Sequence, residues 1–435
     1  MDFILKFIAV AIVGCWFVHS VAGVQADEWN RFRGPNGAGV ADGTGIPTQF
    51  SETDFVFKTK LPGDSGGSSP VVSGDKIFVM SADSSNATRY IVCLHAVTGK
   101  VLWSREFAST VHHLHSRSTY ASCTPAVDEK HVYVAWATPK QTLLKAFSHD
   151  GDEVWSRDLG PWQSQHGFGT SPIVYNGMVI LHNSQQADKL DPGEMPGVSR
   201  MTAFDTATGK TKWSTKLTSK NVCYSVPFVR TSADGKAELV CSSTGDGMFA
   251  LDCDLGQRRW AVNDGLFRMR TVASPIEAEG LIFGSNGSGS YSSNFVVAVK
   301  PGAHAAKAYQ LKNGRNFKAP YVSCLVSHGS LVFAMYDKGF ATCFDAATGK
   351  TVWIERVRAA FSGSPIRLDD RIFCIAEDGT VWVFAATDQY QVLAKNSLGE
   401  SSKATPAVAN GRMYCLLYTS PSPRDQRGSR MPSSA

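Results

Sequence analysis

The chain has 435 residues, the length of two or three ordinary domains, and 43 Lys and Arg stand against 38 Asp and Glu for a formal net charge of +5. A surplus this small excludes the basic footprint of a nucleic-acid-binding surface. No charged or low-complexity linker divides the chain, so the length is assigned to one unit, as repeat architectures allow.

The N-terminus, "MDFILKFIAVAIVGCWFVHSVAGVQADE", holds an apolar run over residues 7–18 and small residues leading to a V-x-A pattern at Ala26. Residues 1–26 read as a cleaved export signal, which places the rest of the chain in the periplasm or cell envelope. The run is shorter than the roughly 20 apolar residues a membrane span needs. "IVGC" also matches a lipobox, and the second reading is a lipid anchor on Cys15, although Trp16, Phe17 and Val18 stay apolar where lipoproteins turn polar.

Residues 54–61, "DFVFKTKL", form an expected strand, and after it two phrases alternate to the end. The first is "SSPVVSGDKIFV" at Pro70, and it returns at Pro125, Pro172, Pro227, Pro275, Pro365 and Pro406, with Leu325 in the proline's place between Pro275 and Pro365. The steps are 55, 47, 55, 48, 50, 40 and 41 residues, a period that marks propellers, solenoids or arrays. The second phrase closes a unit: "HAVTGKVLW" at Trp103, "SHDGDEVW" at Trp155, "DTATGKTKW" at Trp213, "DCDLGQRRW" at Trp260 and "DAATGKTVW" at Trp353. Each unit reads as four strands, because β-branched and aromatic runs are cut by Gly, Ser and Asn turns and no long stretch has a helical period. "KIFVMSA" is apolar on both faces and so suits a strand covered on both sides. The "TGK" turn places Gly349 and its equivalents where φ is positive, and the Trp after it supplies large buried area against the next unit.

These repeats resemble the tryptophan-bearing repeats of the PQQ-like propellers, a family that includes the quinoprotein alcohol dehydrogenases and the outer-membrane assembly lipoprotein BamB. The resemblance implies an all-β, eight-bladed propeller of four-stranded blades over residues 27–414, with Tyr309 and Leu393 standing near the expected Trp in two units. It also implies that an N-terminal strand completes the last blade, a role that "DFVFKTKL" fits beside the unit beginning at Thr405.

Residues 415–435, "CLLYTSPSPRDQRGSRMPSSA", break the repeat in mid-strand. Both ends of this stretch back-translate, in one frame, onto a transposase-type sequencing adapter, so it is read as foreign and the eighth blade as truncated near Tyr414.

Segments leading into the innermost strands line one mouth of a propeller's channel, and they carry Arg117, His166, Lys220, Arg270, Lys318, Arg358 and Lys403 ahead of successive blades. They are the candidate ligand-binding ring, suited to an anion; the alternative is ordinary surface charge. His113 and His115 share a face of "TVHHLHSRSTY" and with His166 pose a metal site, but no carboxylate or thiol stands at diagnostic spacing, so no metal is assigned. The 182–200 loop is either a recognition element or a solvated extension. Eight cysteines between leader and tail form no CxxC pair and read as buried thiols. The dehydrogenases of the family carry a calcium-bound quinone, a catalytic Asp and often a vicinal cysteine pair in inserted loops. Here there is no "CC", no C-x-x-C-H, and the loops between repeats are short. The reading is a monomeric, non-catalytic binding or scaffolding propeller of the cell envelope with a protein or peptide partner and no cofactor. The alternative is a PQQ-dependent alcohol or sugar dehydrogenase, with PQQ as cofactor in that case alone.

Overall fold

Each repeat becomes one sheet. The structure, a computed structural model, describes residues 10–15, 28–290 and 293–418, and these form eight sheets. Seven of them contain four consecutive antiparallel strands, one with a fifth strand added at its edge, beginning with Val71–Ser73, Lys76–Ala82, Arg89–His95 and Val101–Phe107. The second strand of that sheet is buried along almost its whole length, as its two apolar faces predict. Innermost strands are neighbours from sheet to sheet, and Val71–Ser73 touches both Ala126–Val127 of the second sheet and Ala407–Ala409 of the eighth. The ring therefore closes between its first and last members.

The Trp–Gly repeat is the seam between sheets. The indole N–H of Trp103 donates to the His149 carbonyl at 2.9 Å, that of Trp155 to Thr206 at 2.9 Å, and that of Trp213 to Cys253 at 2.9 Å. Each acceptor lies in the turn of the next sheet. The turn glycines Gly151, Gly209 and Gly256 have φ of +90°, +65° and +69°, and a Cβ on any of them would come within 2.4–2.7 Å of the indole. Glycine is needed there for both conformation and approach. Where Trp is missing, Tyr309 takes its place, donating its hydroxyl to Ala346 and lying over Gly349. Trp260 departs from the rule. Its N–H donates at 3.2 Å to Glu238 of its own sheet, a carboxylate also held by Arg230 at 2.9 Å and Arg259 at 2.8 Å. Arg230 continues to Glu277 of the fifth sheet at 3.1 Å, so an ion-pair network joins this seam.

The eighth sheet differs from the expected closure. Residues 55–61 do join it as the strand Phe55–Leu61, and Phe57 lies over Gly99 of the first sheet as a Trp would. This strand is not beside Arg412–Tyr418, however, because Val10–Cys15 lies between them, antiparallel to both. The eighth repeat supplies only two strands of its own, and the open edge of Arg412–Tyr418 is a ready template for pairing, which Val10–Cys15 occupies while the leader is uncleaved. The remainder of the expected leader and residues 419–435 of the expected foreign tail lie outside the described residues. The last strand runs through residue 415, with Cys415, Leu416 and Leu417 buried.

A segment outside the repeats closes one end of the channel. Trp29 pairs with Val72 of the first sheet, and the Asn30 carbonyl accepts Val127 N–H of the second at 2.9 Å. Arg31 then donates to the Pro227 carbonyl of the fourth at 2.6 Å, and Arg33, fully buried, to Leu325 at 2.7 Å and Pro365 at 3.4 Å ahead of the sixth and seventh. Val40–Ala41 finally pairs in parallel with Ile366–Leu368. Residues 29–41 thus cross the ring using the carbonyls of the proline phrase as acceptors for two arginines.

Candidate functional site

Above that crossing lies a cavity of about 460 Å³ with Phe32 in its lining. Its wall includes the residue before the proline, or before Leu325, in every opening phrase but the fifth, and the sequence "[S/T]-P" has a specific use there. Ser69 N–H donates to the Thr124 hydroxyl at 2.9 Å, Thr124 N–H to Ser171 at 2.9 Å, Cys324 N–H to Ser364 at 3.0 Å and Ser364 N–H to Thr405 at 2.9 Å. Val226 N–H donates to Ser274 at 2.9 Å, and Ser274 N–H to the Cys324 thiol at 3.2 Å. The chain of links is broken at Val226, which has no hydroxyl to offer Ser171. The hydroxyls of Thr124, Ser364 and Thr405 each accept one of these bonds and keep an O–H donor, along with a second lone pair, for the cavity.

Four of the seven sequence-derived ring residues line this cavity: Arg117, His166, Arg270 and Lys403. Arg270 is 8% exposed; its Nη2 donates to Gln165 at 3.3 Å, its Nε has no partner, and no carboxylate pairs with it among the described residues. Arg117 lies 3.7 Å from Asp337, whose buried carboxylate is also held by the N–H groups of Tyr321 at 2.7 Å and Val322 at 3.1 Å. Burial pushes Asp337 upward against those bonds. The rings of His115 and His166 stack at 4.6 Å. Burial, reinforced by the charge of Arg270, pushes His166 down to about 4, and burial with Arg117 and Arg270 lowers His115 as well. Both imidazoles are therefore neutral beside the fixed cations near pH 7.

The other three ring residues lie elsewhere. Lys220 is exposed, and its carbonyl is occupied by the N–H groups of Ala187 at 2.7 Å and Asp188 at 3.3 Å. The Lys318 ammonium sits 5.2 Å from the Phe340 ring. Arg358, exposed and with φ of +56°, borders a neighbouring groove with Arg117. Side-chain direction in these irregular segments depends on loop conformation, which the repeat does not encode. His113 also parts from His115, since it lines a separate cavity with His112, Asp191 and Glu194. Among the described residues no three His, Cys, Asp or Glu converge on a metal position.

The long loop runs between Met178–Asn183 and Arg200–Asp205 and is half structural, half exposed. Gln186 is fully buried with its N–H on the Gln163 carbonyl at 2.9 Å, and Gln165, the partner of Arg270, donates to Lys189 at 2.6 Å. Met195 at the tip is 78% exposed. The nine cysteines from Cys93 to Cys415 are buried free thiols, and burial pushes Cys93, Cys123 and Cys241 up to about 12. The crossing segment that floors the cavity lies outside the repeats, and its signal in the sequence is the pair of arginines around Phe32 in a glycine-rich stretch.

The family described as outer membrane protein assembly factor BamB matches residues 41–319 and 310–420. Among solved structures, BamB from Moraxella catarrhalis is similar with a TM-score of 0.54 at 13% identity, over 81% of this chain and 94% of that one. A europium-containing methanol dehydrogenase gives 0.60 at 12% identity over 87% of each chain. The quinohemoprotein alcohol dehydrogenase from Comamonas testosteroni gives 0.61 at 12% identity, over 94% of this chain and 82% of that one. At these identities the likeness is one of fold. No curated protein matches the chain by sequence.

Proposed function

The chain belongs to the PQQ-like β-propeller family described as outer membrane protein assembly factor BamB, and on that premise we propose that it is a non-catalytic binding propeller of the cell envelope. Its channel pocket captures an anionic group presented by a protein or peptide partner. The observation that carries this reading is the composition of the lining: Arg117, Arg270, Lys403, two neutral imidazoles and a crown of hydroxyl donors, with no Asp or Glu among the described lining residues. A guanidinium as buried as Arg270 and without a carboxylate partner is costly, and an incoming anion removes that cost. Closure of the far end by residues 29–41 makes the pocket one-mouthed, so its walls concentrate the positive field at a single opening.

The dehydrogenase alternative requires the pocket to hold a quinone together with calcium. The lining suits the carboxylates of such a quinone, but calcium is held by carboxylate and carbonyl oxygens, and the lining has no Asp or Glu among the described residues; behind the wall, Asp337 is 2% exposed and held by two backbone N–H groups, and Glu377 accepts the Ser362 hydroxyl at 2.5 Å. The residues present do not fit that pair, which favours binding without turnover. Titration calorimetry with succinate at low ionic strength tests the anion reading. One site per chain is expected, weakening with salt and by tenfold or more in Arg270→Gln; absence of binding, or binding indifferent to Arg270, removes the reading.

A further inference from the structure

The positive lining does not stop at the channel mouth. Arg117 also borders a groove of about 620 Å³ beside the sixth and seventh sheets, whose other charged residues are Lys338, Arg356, Arg358, Asp337 and Glu377. Both carboxylates there are engaged, Asp337 by two backbone N–H groups and Glu377 by the Ser362 hydroxyl at 2.5 Å. Ser362 is itself part of the pocket wall, as is Arg117, so pocket and groove share a rim. Arg356 and Arg358 are exposed, and no carboxylate pairs with either among the described residues. The Arg356 guanidinium is steadied 6.0 Å from the Phe340 ring, and Arg358 leaves the chain from a left-handed backbone position.

We infer that pocket and groove form one docking track for an extended acidic peptide segment of a partner, an inference that rests on the anion reading of the pocket. A small anion satisfies Arg270 and the hydroxyl crown but leaves Arg356 and Arg358 facing solvent. A peptide carrying several Asp or Glu in succession meets both. Side chains on an extended chain alternate in direction, so one carboxylate descends to Arg270 while the next ones on the same side pass Arg117 and remain over Arg356 and Arg358. The buried contact fixes the position of the segment, and the exposed arginines steer and select it.

The test uses two probes on the full chain: fluorescein-labelled hexa-aspartate by anisotropy and succinate by calorimetry. The exposed double variant Arg356→Glu/Arg358→Glu should weaken hexa-aspartate by about tenfold, since each exposed pair is worth a few-fold and reversal roughly doubles the free-energy effect, while succinate is unchanged. Lys403→Glu, exposed and on the pocket wall, should weaken both, and serves where Arg270→Gln fails to fold. If the double variant leaves hexa-aspartate unchanged while the pocket variants weaken it, the track is overturned and the anion pocket stands. A charge-matched sulfated oligosaccharide that binds more tightly than the peptide also overturns the peptide assignment. If neither probe binds, track and pocket fall together.

Discussion

The seam between the second and third sheets offers a sharp test of why the Trp–Gly phrase recurs. Trp155 is 7% exposed, donates to the Thr206 carbonyl at 2.9 Å and lies so close to Gly209 that a Cβ would meet its ring at 2.6 Å. Trp155→Ala should destabilise by about 3–5 kcal/mol, the usual range for emptying an aromatic site. Gly209→Ala should cost about 1–2 kcal/mol for an L-residue at φ of +65°, and about 1–3 kcal/mol more for displacing the indole. The second part vanishes once the ring is gone. In a double-mutant cycle read from urea midpoints, the double variant should therefore be more stable than the sum of the singles predicts, by about 1–3 kcal/mol. Strict additivity would refute the claim that the glycine is kept for the tryptophan's approach.

Glu238, buried between Arg230, Arg259 and the Trp260 indole, should on replacement by Ala destabilise by about 3–5 kcal/mol; a urea midpoint like wild type would show that the ion network does not hold this seam. His166 has its pKa lowered to about 4 in the fold, against about 6.5 when unfolded, so between these values the unfolded chain binds the extra proton and stability falls as pH drops from about 6.5 to 4. His166→Gln should flatten that part of the acid limb in melting curves, leaving the smaller same-direction contribution of His115; an unchanged profile contradicts the assignment. Removing residues 1–26 deletes the strand Val10–Cys15 and opens the facing edges of Phe55–Leu61 and Arg412–Tyr418, so the melting temperature should drop; an equal value would mean the eighth sheet does not depend on that strand.

The repeat made the sheets and their seams legible because packing between blades recurs from unit to unit: Trp103 meets Gly151 in the turn of the next unit as Trp155 meets Gly209. The proline phrase was legible as an innermost strand, whereas the use of its hydroxyls emerges only when Ser364 N–H is seen on Thr405. Contacts made once are not periodic and left no such signal. Arg31 and Arg33 bind carbonyls some 200 and 290 residues away, and Trp260 turns to Glu238 because its neighbouring turn, "KPGAHAA", has lost the tryptophan-docking phrase. The candidate ring was half legible. Charge ahead of each innermost strand is visible in the sequence, but whether Lys318 points into the channel or onto Phe340 is decided by loop geometry.

Binding without redox turnover is decided by an activity assay. The purified chain, incubated with PQQ, calcium, a panel of alcohols and sugars, and an electron-acceptor dye, should reduce no dye above the enzyme-free rate. Steady, substrate-dependent reduction that disappears in Arg270→Gln would contradict the account and assign the channel pocket to a dehydrogenase.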